Sequence, residues 1–323
     1  MKGWVTLLMI LAHIFQFYLL NDPGIQFFSD FVNLLTFPAF LFCFGFACNL
    51  AYFQKDILPR KRIFIGAIKL LLAFYISAFG AVIIHSEKID YSLLLPILYF
   101  SHISEYSEFL LSFFYLYIII LSFGDLIKRF IKNGYLLFFV FVLSLITTYI
   151  PTSGNSATQL SPLLGGIAEP PSFPILQNFG FFLIGAFISD RNILFDKKIL
   201  FFSCFGMIYF EAFVITFQVL PCRFPPSLIW ILGGFLPVYS FYLLSHKFAS
   251  FNSSIVHFCT YLGRKTLICL VVSNLCLFSL HRFVKPDKSI PLFSNITLCL
   301  LFFVIILVFC VATIRINDKI KSH

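Results

Sequence analysis

A histidine at position 13 stands inside an apolar run, eleven positions after Lys2 of the pair Lys2-Gly3. Ionisable side chains are costly in hydrocarbon, so an imidazole there is a functional candidate by default. Neutral imidazole is also the side chain best suited to take a proton from a hydroxyl near neutral pH. A helix through this segment would lift His13 roughly 13–17 Å above its inner end, near the bilayer midplane. A histidine hydrogen-bonded between packed helices would satisfy the same pattern.

Other residues with chemical potential are few. Thr36-Phe37-Pro38 should break the helix pattern of the second apolar run, because Pro38 has no backbone N–H to donate, and Gly45 should allow close helix approach beside it. Lys69 falls about two turns inside the third run, within reach of its inner edge by snorkelling. Glu211 falls near the middle of the seventh run, where it should face a partner or a cavity. Glu105 and Glu108, with His102, sit in a polar connection over 85–108 that could meet a polar substrate. As loop residues they could equally be solvated. Arg60-Lys61-Arg62 could contact phosphate groups or serve only as positive-inside anchors.

The elements that must position these residues follow from composition. The chain of 323 residues is 60% hydrophobic and only 11% charged, with a mean hydropathy of +0.95. A soluble domain carries about 25% charged residues, and the short alternating segments of a barrel are missing. Apolar runs of crossing length recur over 4–20, 31–53, 63–84, 109–124, 135–150, 171–188, 200–220, 228–244, 262–279 and 295–314. The expectation is an all-α polytopic membrane protein: one integral membrane domain over 1–323, a bundle of about ten transmembrane helices. Leu93–Phe100 is too short to cross and reads as interfacial or re-entrant.

Charge sets the orientation. With the N-terminus inside, seventeen of the 23 Lys and Arg fall in inner connections; five (Lys88, Arg223, Arg282, Lys285 and Lys288) fall outside. That split predicts N-in and C-in topology. The +9 net charge is therefore spent on orientation, and no aromatic-and-basic patch suits nucleic acid. The nine cysteines form no CxxC pair and lie almost all in apolar runs, as small buried hydrophobes with neither a disulfide framework nor a metal site. No small-x-small cleavage site follows the first run, so it reads as a retained span. The two halves do not mirror one another, which argues against an inverted-repeat transporter.

The spacing Lys2-Gly3 to Ala12-His13 resembles the opening of the membrane acyltransferase-3 superfamily, in its fucose 4-O-acetylase-like branch. Phe37-Pro38-Ala39-Phe40-Leu41-Phe42-Cys43-Phe44-Gly45-Phe46 resembles that branch's second-helix motif, Met-Pro-Leu-Phe-Phe-Phe-Leu-Ser-Gly-Tyr. Arg60-Lys61-Arg62 is similar to its basic cytoplasmic loop, and Leu262-Gly263-Arg264-Lys265-Thr266-Leu267 to its late Leu-Gly-x-x-Ser-Leu motif. Differences stand beside the matches. Phe44 replaces a serine and Thr36 a histidine, Ser273 and Asn274 occupy the region where a second histidine is common, and Glu108-Phe109-Leu110 sits near the usual Trp-Phe-Leu.

The resemblance implies a bacterial cytoplasmic (inner) membrane enzyme moving an acyl group, usually acetyl from acetyl-CoA, to a hydroxyl of an extracytoplasmic glycan or lipid-linked sugar. His13 would be the catalytic base or acyl carrier, and Lys2, Arg60 and Arg62 would meet the phosphates of the donor; no metal is implied. Two alternatives remain at this point. One is a transporter or flippase with His13 and Glu211 as its proton-coupling pair; the other is a pilin-acetylating type of protein, with an amino terminus as acceptor.

Overall fold

The computed structural model describes residues 1–19, 22–85, 91–103, 106–150, 160–164, 173–284 and 292–322. Helix makes up 85% of it, and no strand occurs among the described residues. In chain order the helices are α1 (Lys2–Tyr18), α2 (Pro23–Cys48), α3 (Arg60–His85), α4 (Tyr91–Leu98), α5 (Glu108–Lys132), α6 (Gly134–Ile146) and α7 (Ser161–Leu164). They are followed by α8 (Ile175–Asp190), α9 (Lys197–Phe217), α10 (Leu228–Ala249), α11 (Ser254–Arg264), α12 (Thr266–Phe283) and α13 (Leu292–Ser322). A π-helical turn, Asn49–Phe53, prolongs α2.

Seven helices are long and apolar enough to cross a membrane: α2, α3, α5, α9, α10, α12 and α13. The chain is thus an all-helical, multi-pass membrane protein. α6 and α8 are shorter apolar helices, and α1 has 17 residues, about 25 Å of rise. The helix expected over 262–279 begins instead at Thr266, because Lys265 separates it from α11, an amphipathic segment that hydropathy alone did not show. α4, with eight residues, covers most of the short apolar stretch near residue 93.

α1 and α2 hold the centre. α1 packs against α2, α11, α12 and α13, while α2 also packs against α8 and α10. The apolar window of α2 is 67% buried, that of α9 only 17%. Lipid removes the hydrophobic drive between helices, so contact has to come from close packing and small residues. α2 and α8 meet that way twice over: a Cβ on Gly45 would lie 2.0 Å from the Phe182 carbonyl oxygen, and one on Gly185 2.1 Å from that of Phe42. Gly45→Ala should therefore lower the melting temperature of the detergent-solubilised protein, at a cost of about 1–3 kcal/mol. Gly134→Ala, with nothing within 4 Å of the new Cβ, should melt as the parent does. Equal melting of both variants would mean that this crossing can slide apart freely.

Pro38 does not break α2 as expected; the helix runs through it from an N-terminus capped by the Asp22 side chain, with Pro23 in its first turn. The Leu34 carbonyl, four residues before the proline, loses its helical donor there. Neighbouring helices make such a proline tolerable within a bundle. Here α10 closes on the spot through Gly234, whose Cβ would stand 3.4 Å from the Leu34 oxygen and 3.6 Å from Pro38 Cγ.

Glu211 is a second correction. It lies exposed on α9 and makes no hydrogen bond or ion pair with any described residue. That helix packs mainly on α10, through a stripe containing Ser203, Gly206 and Phe210. Lys69 is likewise exposed on α3, and no ion pair joins the two.

Candidate functional site

Eleven residues advance a helix by about three turns, so Lys2 and His13 come within about 20° of one another around α1 and about 16 Å apart along it. α1 is pinned in that orientation at its first turn. A Cβ on Gly3 would lie 1.9 Å from the Cys259 carbonyl oxygen of α11, and one on Gly263 3.0 Å from Gly3 N. Thr6 Oγ1 donates to the Lys2 carbonyl (2.9 Å) and lies 3.4 Å from Thr266 Oγ1. Two motifs some 260 positions apart, Lys2-Gly3 and Leu262-Gly263, therefore form one contact. Only residues without a side chain let the backbones approach so closely.

The Lys2 ammonium keeps an exposed surface, yet it is within electrostatic reach of Cys43 and Cys48 on α2 and Cys269 on α12. It makes no ion pair with any described residue. The loop basics divide. Arg60 is engaged with Asp125, Nη2 to Oδ2 at 3.3 Å, whereas Arg62 is exposed and interacts electrostatically with Tyr52 in the π-helical turn. Lys2 and Arg62 thus flank the same end of α2, and Arg60 has a prior partner. Further basic groups gather at this end: Lys128 donates to the Lys55 carbonyl, Arg191 to that of Lys132 (3.0 Å), and Lys265 pairs with Asp318.

At the far end of α1, the His13 ring meets the Tyr106 ring edge-on at 4.6 Å between centroids, and its buried Nδ1 has no hydrogen-bond partner among the described residues. A buried ring nitrogen left without a partner is costly for a group kept only for packing. Tyr106 is boxed in by Phe17 (5.2 Å, stacked) and Phe278 (6.3 Å). Its backbone is left-handed, φ 60°, a conformation that a tyrosine holds only when its surroundings impose it. Asn274 imposes it: its Nδ2 donates to the Tyr106 carbonyl at 2.8 Å and to Ser77 Oγ at 3.0 Å. Asn274 on α12 thus holds the ring that stands against His13.

A narrow cleft opens between α2, α8, α10, the 173–174 segment and the 218–227 connection, with a volume of about 10 Å³, room for about one water molecule. Its polar lining is Asn33, Asn178 and Arg223, and its apolar lining includes Phe37, Pro38, Phe173 and Trp230. Gln16 ties α1 to this wall, donating from Nε2 to Ser29 Oγ (2.9 Å) and Asn33 Oδ1 (3.5 Å). Ser112 of α5 fixes Phe173 through its carbonyl, at 2.7 Å. Phe44, where the family motif has serine, fills the gap between α5 and α8 against Phe113, Tyr117 and Phe182.

Arg223 projects from the connection between α9 and α10 and is held by rings: 4.5 Å from its guanidinium carbon to the Phe224 centroid, 5.4 Å to that of Phe173. Burial pushes its pKa down to about 10, while the carboxylates of Glu108 and Asp30 and the Tyr106 hydroxyl work against that shift, so it stays charged at neutral pH. It also interacts electrostatically with His13.

The sequence-based candidates are thus sorted. His13 meets Tyr106, and His13 and Glu108 each interact electrostatically with Arg223; Lys2 and Arg62 lie at the opposite end; Lys69 and Glu211 stand apart on outer faces. Glu105 lies outside the described residues, and His102 is exposed. Two residues, Arg223 and Tyr106, escaped the sequence reading as site residues. Arg223 was counted as an orientation charge, although its setting, Pro221-Cys222-Arg223-Phe224-Pro225-Pro226, is unusually rigid for a solvated anchor. Tyr106 carried no signal, and Asn274 only its place in the late-helix region, since nothing local marks a contact across 168 positions. Set against known protein families, curated proteins and solved structures, the chain matches none of them.

Proposed function

We propose that this chain is a membrane O-acyltransferase that carries acetyl from acetyl-CoA on the cytoplasmic side to a hydroxyl of an extracytoplasmic glycan. The observation that carries the reading is His13. Its buried ring nitrogen has no hydrogen-bond partner among the described residues, it stands against a strained tyrosine, and it shares a helix face with a lysine about three turns away. A general base needs a free lone pair within reach of its proton donor, and a packed structural histidine does not.

The donor supplies an activated thioester. Around its phosphates the fitting groups are Lys2, which makes no ion pair with any described residue, and the exposed Arg62; Arg60 would first have to leave Asp125. In the transfer itself His13 accepts the proton of the acceptor hydroxyl, the oxygen bonds to the acyl carbon, and the carbon–sulfur bond breaks. The proton then passes to the departing thiolate, so ester and free thiol are the products. Asn274 is a positioning residue, acting through Tyr106.

The same reading takes α1, α6 and α8 as crossings too, giving ten, N-in and C-in, in a bacterial cytoplasmic membrane. The clustering of Lys55, Lys128, Lys132, Arg191 and Lys265 at the Lys2 end supports it. Reporter fusions after Lys61 and Lys132 should report cytoplasm, and fusions after Asn155 the outside; an outside signal at Lys132 would sink the ten-span count. The transporter alternative has lost its proposed proton pair, since Glu211 lies exposed on α9. An uncoupler separates the two directly. Glycan-dependent release of CoA thiol should persist in proteoliposomes without a proton gradient, whereas gradient-driven uptake of sugar without thiol release would replace the enzyme with a carrier.

A further inference from the structure

We propose that α11 is an interfacial helix: it beds the bare half of its apolar face in the leaflet at the Lys2 end and holds anionic phospholipid headgroups on the basic residues beside it. Nothing in this depends on the acyltransferase reading.

The pattern lies in the helix itself. Ile255, Phe258, Cys259 and Leu262 recur at i, i+3, i+4 and i+7 and so share one face, while His257, Thr260 and Arg264 take the opposite one. α1 covers the second half of the apolar face. Cys259 and Leu262 are buried there, with the Cys259 backbone against Gly3. The first half is bare: Ile255 is 62% exposed and Phe258 37%. Two more exposed rings precede it in the chain, Phe248 and Phe251, 6.1 Å apart, and Phe248 reaches Trp4 of α1 at 6.3 Å.

Position decides which medium meets this face. α11 lies where three helices end: it follows the last turn of α10, rests on the first turn of α1, and stops one residue before α12. α10 and α12 are of crossing length, and such helices end where hydrocarbon gives way to headgroups. With eleven residues, about 16 Å, α11 is too short to cross. A helix at that boundary, apolar on one side and polar on the other, lies along it.

Charge then selects the lipid. Between Phe241 and Thr266 the chain carries Lys247, Arg264 and Lys265, with His246 and His257, and no acidic residue. Lys265 is engaged with Asp318, and His257 with Asn252 Oδ1 at 2.7 Å. Lys247 and Arg264 are exposed and make no ion pair with any described residue. Bare apolar side chains rimmed by such cations complement acyl chains beneath anionic headgroups. Because Gly3 and Cys259 meet backbone to backbone, lipid that seats α11 also seats the first turn of α1.

The chain has two tryptophans, which makes a single reporter simple to place. Full-length protein carrying Trp4→Phe, Trp230→Phe and Phe258→Trp has one indole, on the bare half of the face. It would be reconstituted in nanodiscs containing a minor lipid brominated on its acyl chains. In one set that lipid is phosphatidylglycerol within phosphatidylcholine; in the other it is phosphatidylcholine within phosphatidylglycerol, at the same fraction. Both should quench the indole more than they quench the buried Trp230 of a Trp4→Phe protein. Quenching should be stronger, about twofold or more, when the bromine is on phosphatidylglycerol. Adding Lys247→Gln and Arg264→Gln should make the two sets equal while the protein melts as its parent does. Inorganic phosphate should leave the preference in place. The proposal is overturned if neither lipid quenches the indole, which would put protein or water over this face. It is overturned equally if the parent shows no preference between the lipids, if the preference survives loss of both cations, or if inorganic phosphate abolishes it.

Discussion

His13→Gln should abolish acyl transfer as completely as His13→Ala, at matched membrane abundance and with the melting temperature preserved. Glutamine retains much of the volume and the hydrogen-bonding capacity of histidine but accepts no proton at useful pH. Loss of general-base help costs about 10²–10⁴ in rate. If the imidazole serves only to pack against Tyr106, the glutamine variant should keep most of its activity and alanine should act through stability. Mass spectrometry of the surface glycan from cells carrying each variant reads the difference. Parent-level acylation with His13→Gln would return the residue to a packing role and remove the mechanism built on it.

The second large effect is expected at the other end of α1. Lys2→Ala should raise the KM for acetyl-CoA about tenfold to a hundredfold, the loss of one or two charge-assisted contacts, with kcat at saturating donor and the acceptor KM little changed. Arg62→Ala should act in the same direction. Arg60→Ala should do less, because its guanidinium is already paired with Asp125 on the exposed face and surface pairs of this kind contribute little. An equal effect from all three would mean that they act by general positive potential. A fall in inserted protein, with the donor KM of the remainder unchanged, would assign them to topology alone.

How much of this was legible beforehand depends on what each signal measures. Hydropathy over a window reports whether a segment suits a membrane, and it found the long helices, although α2 begins eight residues before the expected run and α5 and α13 each end eight residues beyond theirs. It says nothing of azimuth in a helix that is apolar all round. α9 is such a helix, so the depth of Glu211 was readable and its outward direction was not. α11 was missed because Ser254–Arg264 is amphipathic and not uniformly apolar, and only its contact with Gly3 explains why it is there.

The spacing from Lys2 to His13 was visible because a helix turns that spacing into a shared face. What surrounds His13 was not visible. Tyr106 comes from a connection, Asn274 from a helix 261 positions after His13, and Arg223 from a loop whose charge looked like an orientation signal. Long-range side-chain pairing leaves no local periodicity to read. The proline at 38 misled for a related reason. Its cost is local, but the glycine that lets the bundle accept it, Gly234, lies on another helix.

The central claim is that one acetyl group passes from a cytoplasmic thioester to an outer hydroxyl at His13. It is tested most directly with the full-length protein in sealed proteoliposomes, acetyl-labelled acetyl-CoA on the Lys2 face and a neutral glycan acceptor on the other. The account predicts label on the outer glycan as a base-labile ester, one CoA thiol released per ester formed, and neither product with His13→Gln. Label that stays on the thioester while the glycan itself crosses the membrane, or ester formation that survives His13→Gln, would contradict it.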